Sequence, residues 1–238
     1  MNASAKTIIV DDNGTPGVDC DLTTIQEGID NAIPGDIVFV MNGTYYESVV
    51  VNKTINLTGE YRGSTIIDGG GSGDVVFINS NWVNMSGFKV RNSGSGWWDV
   101  GIELNNVQNC SIIHNTCTNN YYDGIYLEYS SYNIVEDNKC ISNTFQGIYL
   151  EGSSNNVIKN NTCYNNNWYG LRIGEYSNSN IIVENIISYT NNYGIRVLSS
   201  NNNLIYHNNF MYNFVQAWDD SFTYWDNGYP SGGNYWSN

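Results

Sequence analysis

From residue 101 onward the chain repeats one short phrase of hydrophobic and polar positions. Gly101-Ile102-Glu103-Leu104 returns as Gly124-Ile125-Tyr126-Leu127, Gly147-Ile148-Tyr149-Leu150, Gly170-Leu171-Arg172-Ile173 and Gly194-Ile195-Arg196-Val197, then degrades to Ala217-Trp218-Asp219-Asp220. The spacings are 23, 23, 23, 24 and 23 residues. Other columns keep the same phase. Ile112, Val135, Ile158, Ile182 and Ile205 form one; Asn115, Asn138, Asn161, Asn185 and Asn208 form another. Cys117, Cys140, Cys163, Ile187 and Phe210 form a third, and Asn120, Asn143, Asn166, Thr190 and Asn213 a fourth. A fixed period in the twenties marks a solenoid, whose units bury an apolar face only by stacking. Each unit has short β-branched runs with Gly and Asn between them and no helical periodicity, so the units are strands. The dense Leu scaffold of a leucine-rich repeat is missing.

The pattern therefore predicts an all-β chain, a right-handed parallel β-helix. About eight coils of ~23 residues would stack at ~4.8 Å each into a rod roughly 40 Å long. Identical Asn side chains would ladder along the axis, and Asn would serve the corners because it tolerates the left-handed conformation. Alternation puts Ile125 and Leu127 in the core and Tyr126 in solvent. Upstream the period loosens but persists in Ile37-Val38-Phe39-Val40, Val49-Val50-Val51 and Val75-Val76-Phe77-Ile78. A rod has an open β edge at each end, which invites self-association unless covered. Thr24-Ile25-Gln26-Glu27 reads as a capping box opening a short helix, with Ile29, Ala32 and Ile33 on one face and Pro34-Gly35 ending it. An aromatic tail from Phe222 to Trp236 would close the other end. The chain reads as one domain: residues 1–36 are N-terminal strand and capping helix, 37–220 coils, and 221–238 a C-terminal aromatic cap.

Composition narrows the functional classes. With 9 Lys+Arg against 23 Asp+Glu the net charge is −14, the wrong sign for nucleic acid or an anionic membrane surface. Charged residues are only 13% of the chain. About 40 Asn do much of the solvating instead, while 41% hydrophobic residues exclude a disordered chain. No apolar run reaches the ~18 residues of a membrane span, so direct membrane insertion is not expected. Met1-Asn2-Ala3-Ser4 reads as a start placed on a mature domain. Asn-x-Ser/Thr triplets at Asn42, Asn52, Asn56 and Asn84 permit an extracellular location. Five cysteines preclude complete intramolecular pairing. Cys117, Cys140 and Cys163 read as small buried hydrophobes, since in-register parallel strands are poor disulfide geometry.

Two stretches carry a resemblance. Thr24-Ile25-Gln26-Glu27-Gly28-Ile29-Asp30-Asn31-Ala32, Pro34-Gly35-Asp36 and Gly43-Thr44-Tyr45-Tyr46-Glu47 resemble the opening of NosD-like parallel β-helix-repeat proteins. Trp225-Asp226-Asn227-Gly228-Tyr229-Pro230-Ser231-Gly232-Gly233-Asn234-Tyr235-Trp236 is similar to the ending of archaeal surface proteins of that group. The resemblance implies a pectin-lyase-like fold akin to carbohydrate-binding and sugar-hydrolase domains, and a secreted or surface protein handling polysaccharide. Founding members are linked to copper supply for nitrous oxide reductase, but membership does not carry function. The Asn-Thr-Asp, Asp-Asp and Gly-His-Gly set of polygalacturonase-like hydrolases is not present, Asp219-Asp220 being the only downstream Asp pair.

The candidate chemistry lies on the outward face. Glu103, Tyr126, Tyr149, Arg172 and Arg196 share one column, with Glu128 and Glu151 two residues further along. Carboxylates one coil apart suit retaining glycoside hydrolysis or a calcium site, so Glu128, Glu151, Asp219 and Asp220 are the catalytic candidates. Tyr rings stack on sugars and Arg pairs with uronate carboxylates, whereas a solvated sheet face would produce the same column with no ligand. Tyr122, Phe145 and Trp168 form a second aromatic column, suited to sugar stacking or to loop packing. His114 and His207 share a column but lie four coils apart, roughly 19 Å, too far for one metal. Asp11-Asp12-Asn13-Gly14 offers oxygen ligands for calcium, but position 12 from Asp11 is Leu22, where an EF-hand loop needs Glu. The expected function is a non-catalytic, extracellular or cell-surface module binding polysaccharide or building an envelope layer, without a required cofactor. The alternatives are a polysaccharide hydrolase or lyase acting on an acidic glycan, and a filament assembled through the coil ends.

Overall fold

Strands of two to five residues, many of them followed by a single left-handed residue, are too short to do anything but stack, and stacking is what the chain does. The computed structural model describes residues 5–17 and 20–237; the start segment Met1–Ser4 lies outside the described residues. Three parallel sheets of ten, eight and nine strands run the length of a parallel β-helix. The sheets make about nine coils rather than eight. The early ones escape a 23-residue count because their register offsets are 19 for Ile37↔Asn56, 28 for Asn56↔Asn84 and 27 for Asn84↔Ser111. From Ser111↔Ile134 onward the period holds.

Inward positions form one continuous core from Ile8 to Phe210. The stacked cysteines pair in register, Cys117↔Cys140↔Cys163, as completely buried thiols. Asn ladders fix the corners. Asn138 Oδ1 accepts from the Asn115 backbone N–H at 2.9 Å and from its side-chain amide at 3.2 Å. Asn161, Asn185 and Asn208 repeat the arrangement, and Asn234 of the tail ends it. Asn120, Asn143 and Asn166 make a second ladder, and Asn133, Asn156, Asn180 and Asn203 a third of the same form. The ladder asparagines are not the left-handed residues. That conformation belongs to the residue before each one, as at His114 (φ 59), Asp137 (φ 52), Asn160 (φ 54), Glu184 (φ 58) and His207 (φ 54). The bend turns the next side chain inward, where its amide satisfies backbone groups that no sheet serves.

The repeated Gly answers to the same ladder. A Cβ on Gly147 would stand 2.6 Å from the Gly170 carbonyl oxygen and 2.7 Å from Asn166 Nδ2.

The helix Ile25–Asn31 covers the first coil with Ile25, Gly28 and Ile29 buried. Thr24 Oγ1 accepts from the Glu27 N–H, but the carboxylate completing the cap is Glu47, which takes the Ile25 and Gln26 N–H groups at 2.9 Å each. Lys53 Nζ closes the other end on the carbonyls of Ile29, Asp30 and Ala32. Ile33 lies beyond the helix and is exposed, not on its buried face. At the far end Thr223–Tyr224 and Tyr235–Trp236 add to two of the sheets, and Trp236 stacks on Phe210 at 4.6 Å. Phe214, Phe222 and Tyr229 remain in solvent, so the aromatic tail covers that end only in part.

Candidate functional site

The eight-stranded sheet carries the repeated phrase, and its outward column runs Val50, Phe77, Glu103, Tyr126, Tyr149, Arg172, Arg196 and Trp218 in register. These side chains leave the rod, yet the middle of the column, Glu103, Tyr126 and Tyr149, does not reach bulk water. Tyr126 and Tyr149 are 3% and 0% exposed, against the expectation of a solvated tyrosine. Trp98 explains this. Its ring lies nearly parallel to Tyr126 at 5.8 Å and tilts against Tyr122 at 5.0 Å. Tyr126 in turn stacks on Tyr149 at 5.1 Å, and the Arg172 guanidinium sits 4.4 Å over the Tyr149 ring. A small second core has formed outside the solenoid from Val100, Tyr122, Tyr126 and Tyr149.

Beside it rises the second aromatic column. Tyr122 stacks on Phe145 at 4.2 Å, and Phe145 on Trp168 at 5.6 Å with rings 9° from parallel. Between this wall and the sheet lies a cavity of about 390 Å³ lined by Trp97, Tyr122, Phe145, Gln146, Trp168, Tyr169, Arg172 and Arg196. The structure thus brings Arg172, Arg196, Tyr122, Phe145 and Trp168 to one groove. Tyr126 and Tyr149 lie beneath and beside it as packing. Trp97, Gln146 and Tyr169 belong to the groove and were missed. Gln146 and Tyr169 follow the aromatic column by one residue, a signal that was present, whereas Trp97 comes from the irregular 92–100 connection and has no column to reveal it.

Acids occupy the other part of the face. Asp74 and Glu103 hydrogen-bond each other; burial first, then the shared contact, raises the Glu103 carboxyl, and burial raises Asp74. The Asn105 amide bridges Glu103, at 2.8 Å, to Glu128. Tyr126 Oη donates to Glu151 Oε2 at 2.6 Å. Burial and the Glu151 charge raise Glu128; the Glu151 charge and then burial raise Glu175. Glu128 and Glu151 face each other in register, as their spacing implied. Beneath the wall Asp123 is completely buried. Its Oδ1 accepts from the Gln146 N–H at 2.8 Å, Oδ2 has no partner, and burial pushes the carboxyl up to about 8.

The remaining candidates lie elsewhere. Asp219 accepts from Trp225 Nε1 and the Ser221 N–H; Asp220 accepts from the Ser199 N–H at 2.9 Å, the main reason its carboxyl stays low. Asp12 accepts from the Thr44 N–H and from Asn13 Nδ2 and so ties the first strand's turn to residue 44, while Asp11 accepts from the Asn13 N–H within the turn. His114 Nδ1 meets Asp137 at 2.5 Å, while His207 Nε2 meets the Ser231 carbonyl.

The family model described as periplasmic copper-binding protein (NosD) matches residues 29–238. The chain belongs to the NosD family. It is also 35% identical over 105 residues to a cell surface glycoprotein of Methanothermus fervidus, a match covering 43% of this chain and 16% of that protein. Among solved structures, carrot pectin methylesterase superposes with a TM-score of 0.67 at 12% identity, covering 95% of this chain and 85% of the esterase. The periplasmic alginate epimerase AlgG superposes at 0.62 with 17% identity, over 80% of this chain and 50% of the epimerase. At such identities these likenesses establish the β-helix alone. The copper in the NosD family's description does not fit the residues here. The two histidines are four coils apart with separate partners, and among the described residues no group of three or more His, Cys, Asp or Glu is placed to hold a metal.

Proposed function

We propose that this chain is a cell-surface β-helix module that binds polysaccharide along the groove beside its eight-stranded sheet. The observation that carries the reading is the groove itself. The rings of Tyr122, Phe145 and Trp168 form a stacked wall beside buried donors and acceptors; it offers a pyranose the ring edges and the outer face of Trp168 to pack on, with hydroxyl hydrogen bonds alongside. A place outside the cytoplasm is supported by the periplasmic description of the family and by the surface glycoprotein relative. Among the described residues no helix is long and apolar enough to cross a membrane.

Binding is favoured over hydrolysis because the paired acids are already engaged: Glu128 with Asn105, and Glu151 with Tyr126. The raised Glu128 carboxyl is what favours the second reading, a hydrolase or lyase. One experiment separates them. The protein is incubated with neutral and acidic polysaccharides, with and without calcium, and both retention on the polymer and soluble products are measured. Retention that a Phe145→Ala, Trp168→Ala variant loses, with polymers intact by mass spectrometry, supports the module. Oligosaccharides that vanish in a Glu128→Gln, Glu151→Gln variant replace it with the enzyme.

A further inference from the structure

The groove carries more information than its aromatic wall. The chain has four arginines. Arg91 is paired with Asp68 at 2.7 Å and Arg62 with Asp137 at 3.7 Å. The other two, Arg172 and Arg196, line the groove, and among the described residues neither has a carboxylate within ion-pair distance, in a chain with 23 acids. They are also direct register partners, about 5 Å apart at the backbone. Like charges facing each other on adjacent strands destabilise a sheet; Asp123 and Glu175 near Arg172, and Asp220 near Arg196, offset that cost only from beyond ion-pair distance.

Both guanidinium groups are held in place by neutral contacts instead. Arg172 lies over Tyr149 at 4.4 Å; Arg196 lies over Trp218 at 5.0 Å and donates to Tyr169 Oη at 2.8 Å. Cation–π contact fixes a guanidinium without neutralising it and leaves its N–H edge to bond something else. The Nε groups of Arg172 and Arg196 are buried and unpartnered. So is Oε1 of Gln146, a residue 2% exposed on the same groove. Two unspent cationic donors and one unspent acceptor therefore meet beside a ring platform.

We infer that this groove takes a carboxylated sugar, a uronate unit of an acidic polysaccharide, with its carboxylate between Arg172 and Arg196, a hydroxyl on Gln146 Oε1, and the ring against Phe145 and Trp168. This rests on the polysaccharide reading above and narrows it. A carboxylate is the group that two forked guanidinium donors bind most strongly, and it removes the like-charge cost of the pair. The protein's net charge of −14 opposes a polyanion at long range, and that repulsion is screened beyond about 8 Å at physiological salt. Short oligomers are accordingly the right probe.

The test compares short oligogalacturonides and oligomannuronides with the same oligomers after carboxyl reduction, by calorimetric titration of the whole chain. Neutral xylan and mannan oligomers are titrated in parallel. The expected result is at least tenfold tighter binding of the acidic form, a difference that Arg172→Gln, Arg196→Gln abolishes. Trp168→Ala should weaken both forms alike. Equal affinity for acidic and reduced forms overturns the uronate assignment and leaves polysaccharide binding standing. No binding of any oligomer overturns both. The comparison on the unaltered chain needs no variant to fold, and a thermal melt checks the double variant where it is used.

Discussion

Asp123→Asn isolates the price of a buried carboxyl in the wall of the groove. Burial lifts its pKa from an ordinary 3.8 to about 8. The native chain therefore binds this proton more tightly than the unfolded chain does. The stability linked to it is complete below the unfolded value and falls as pH rises, until it is lost at the folded one. The slope is about 1.4 kcal/mol per pH unit between the two values, so roughly 4 kcal/mol is at stake between about pH 5 and pH 8. Asparagine keeps an oxygen for the Gln146 N–H bond at 2.8 Å and has nothing to titrate. Urea unfolding of both proteins at half-unit steps of pH measures the difference in stability. The variant should gain on the unaltered chain by about 4 kcal/mol over that window. Asp74, Glu103, Glu128 and Glu175 are also raised and leave a residual slope of the same sign in both proteins, which the difference cancels. Curves that run parallel across the window would refute the reasoning, because a carboxyl ionised in both states contributes no slope.

Three further outcomes follow from the coil geometry. Asn161→Ala removes the acceptor of the Asn138 N–H and the donor to the Val135 carbonyl, leaving buried groups unpaired at about 1–3 kcal/mol each by denaturant titration, whereas Asn160→Gly, at φ 54, should be close to neutral. Gly147→Ala drives a methyl into the Gly170 carbonyl and the Asn166 amide and should cost about 1–3 kcal/mol or more in the same assay. Cys117, Cys140 and Cys163 are completely buried, so a water-soluble thiol reagent should label them only at the rate of unfolding, and rapid labelling of the native protein would contradict the ladder.

The core of the rod was legible because each coil adds one residue to each column and the columns are nearly uniform. Ile112, Val135 and Ile158 announce a buried strand position, and Asn138 and Asn161 announce a ladder, without any knowledge of long-range contacts. Two things escaped. The early coils have irregular connections, so their number was undercounted. The environment of the outward column was also misjudged, because alternation decides only which way a side chain leaves the strand. Whether it then meets water depends on what lies across it. Trp98, at φ 73 in an irregular connection, places its ring on Tyr126 and turns a nominally solvent-facing tyrosine into the centre of a second core.

That second core is what separates the groove from an ordinary sheet face. Along the interior the ladders demand repetition, since each Asn works only by bonding the next, and variation is costly there. On the outward column no such bond links neighbours, and the chain changes from Glu103 to two tyrosines, two arginines and Trp218 within six rungs. Each change alters the partner available to the next rung. The tyrosines accept the Trp98 lid, the buried rings give Arg172 a face to lie on, and Tyr169 orients Arg196. The irregular connection and the broken repeat are thus one feature: removing the Trp98 ring would expose Tyr126 and loosen the support of Tyr149, on which the Arg172 guanidinium rests.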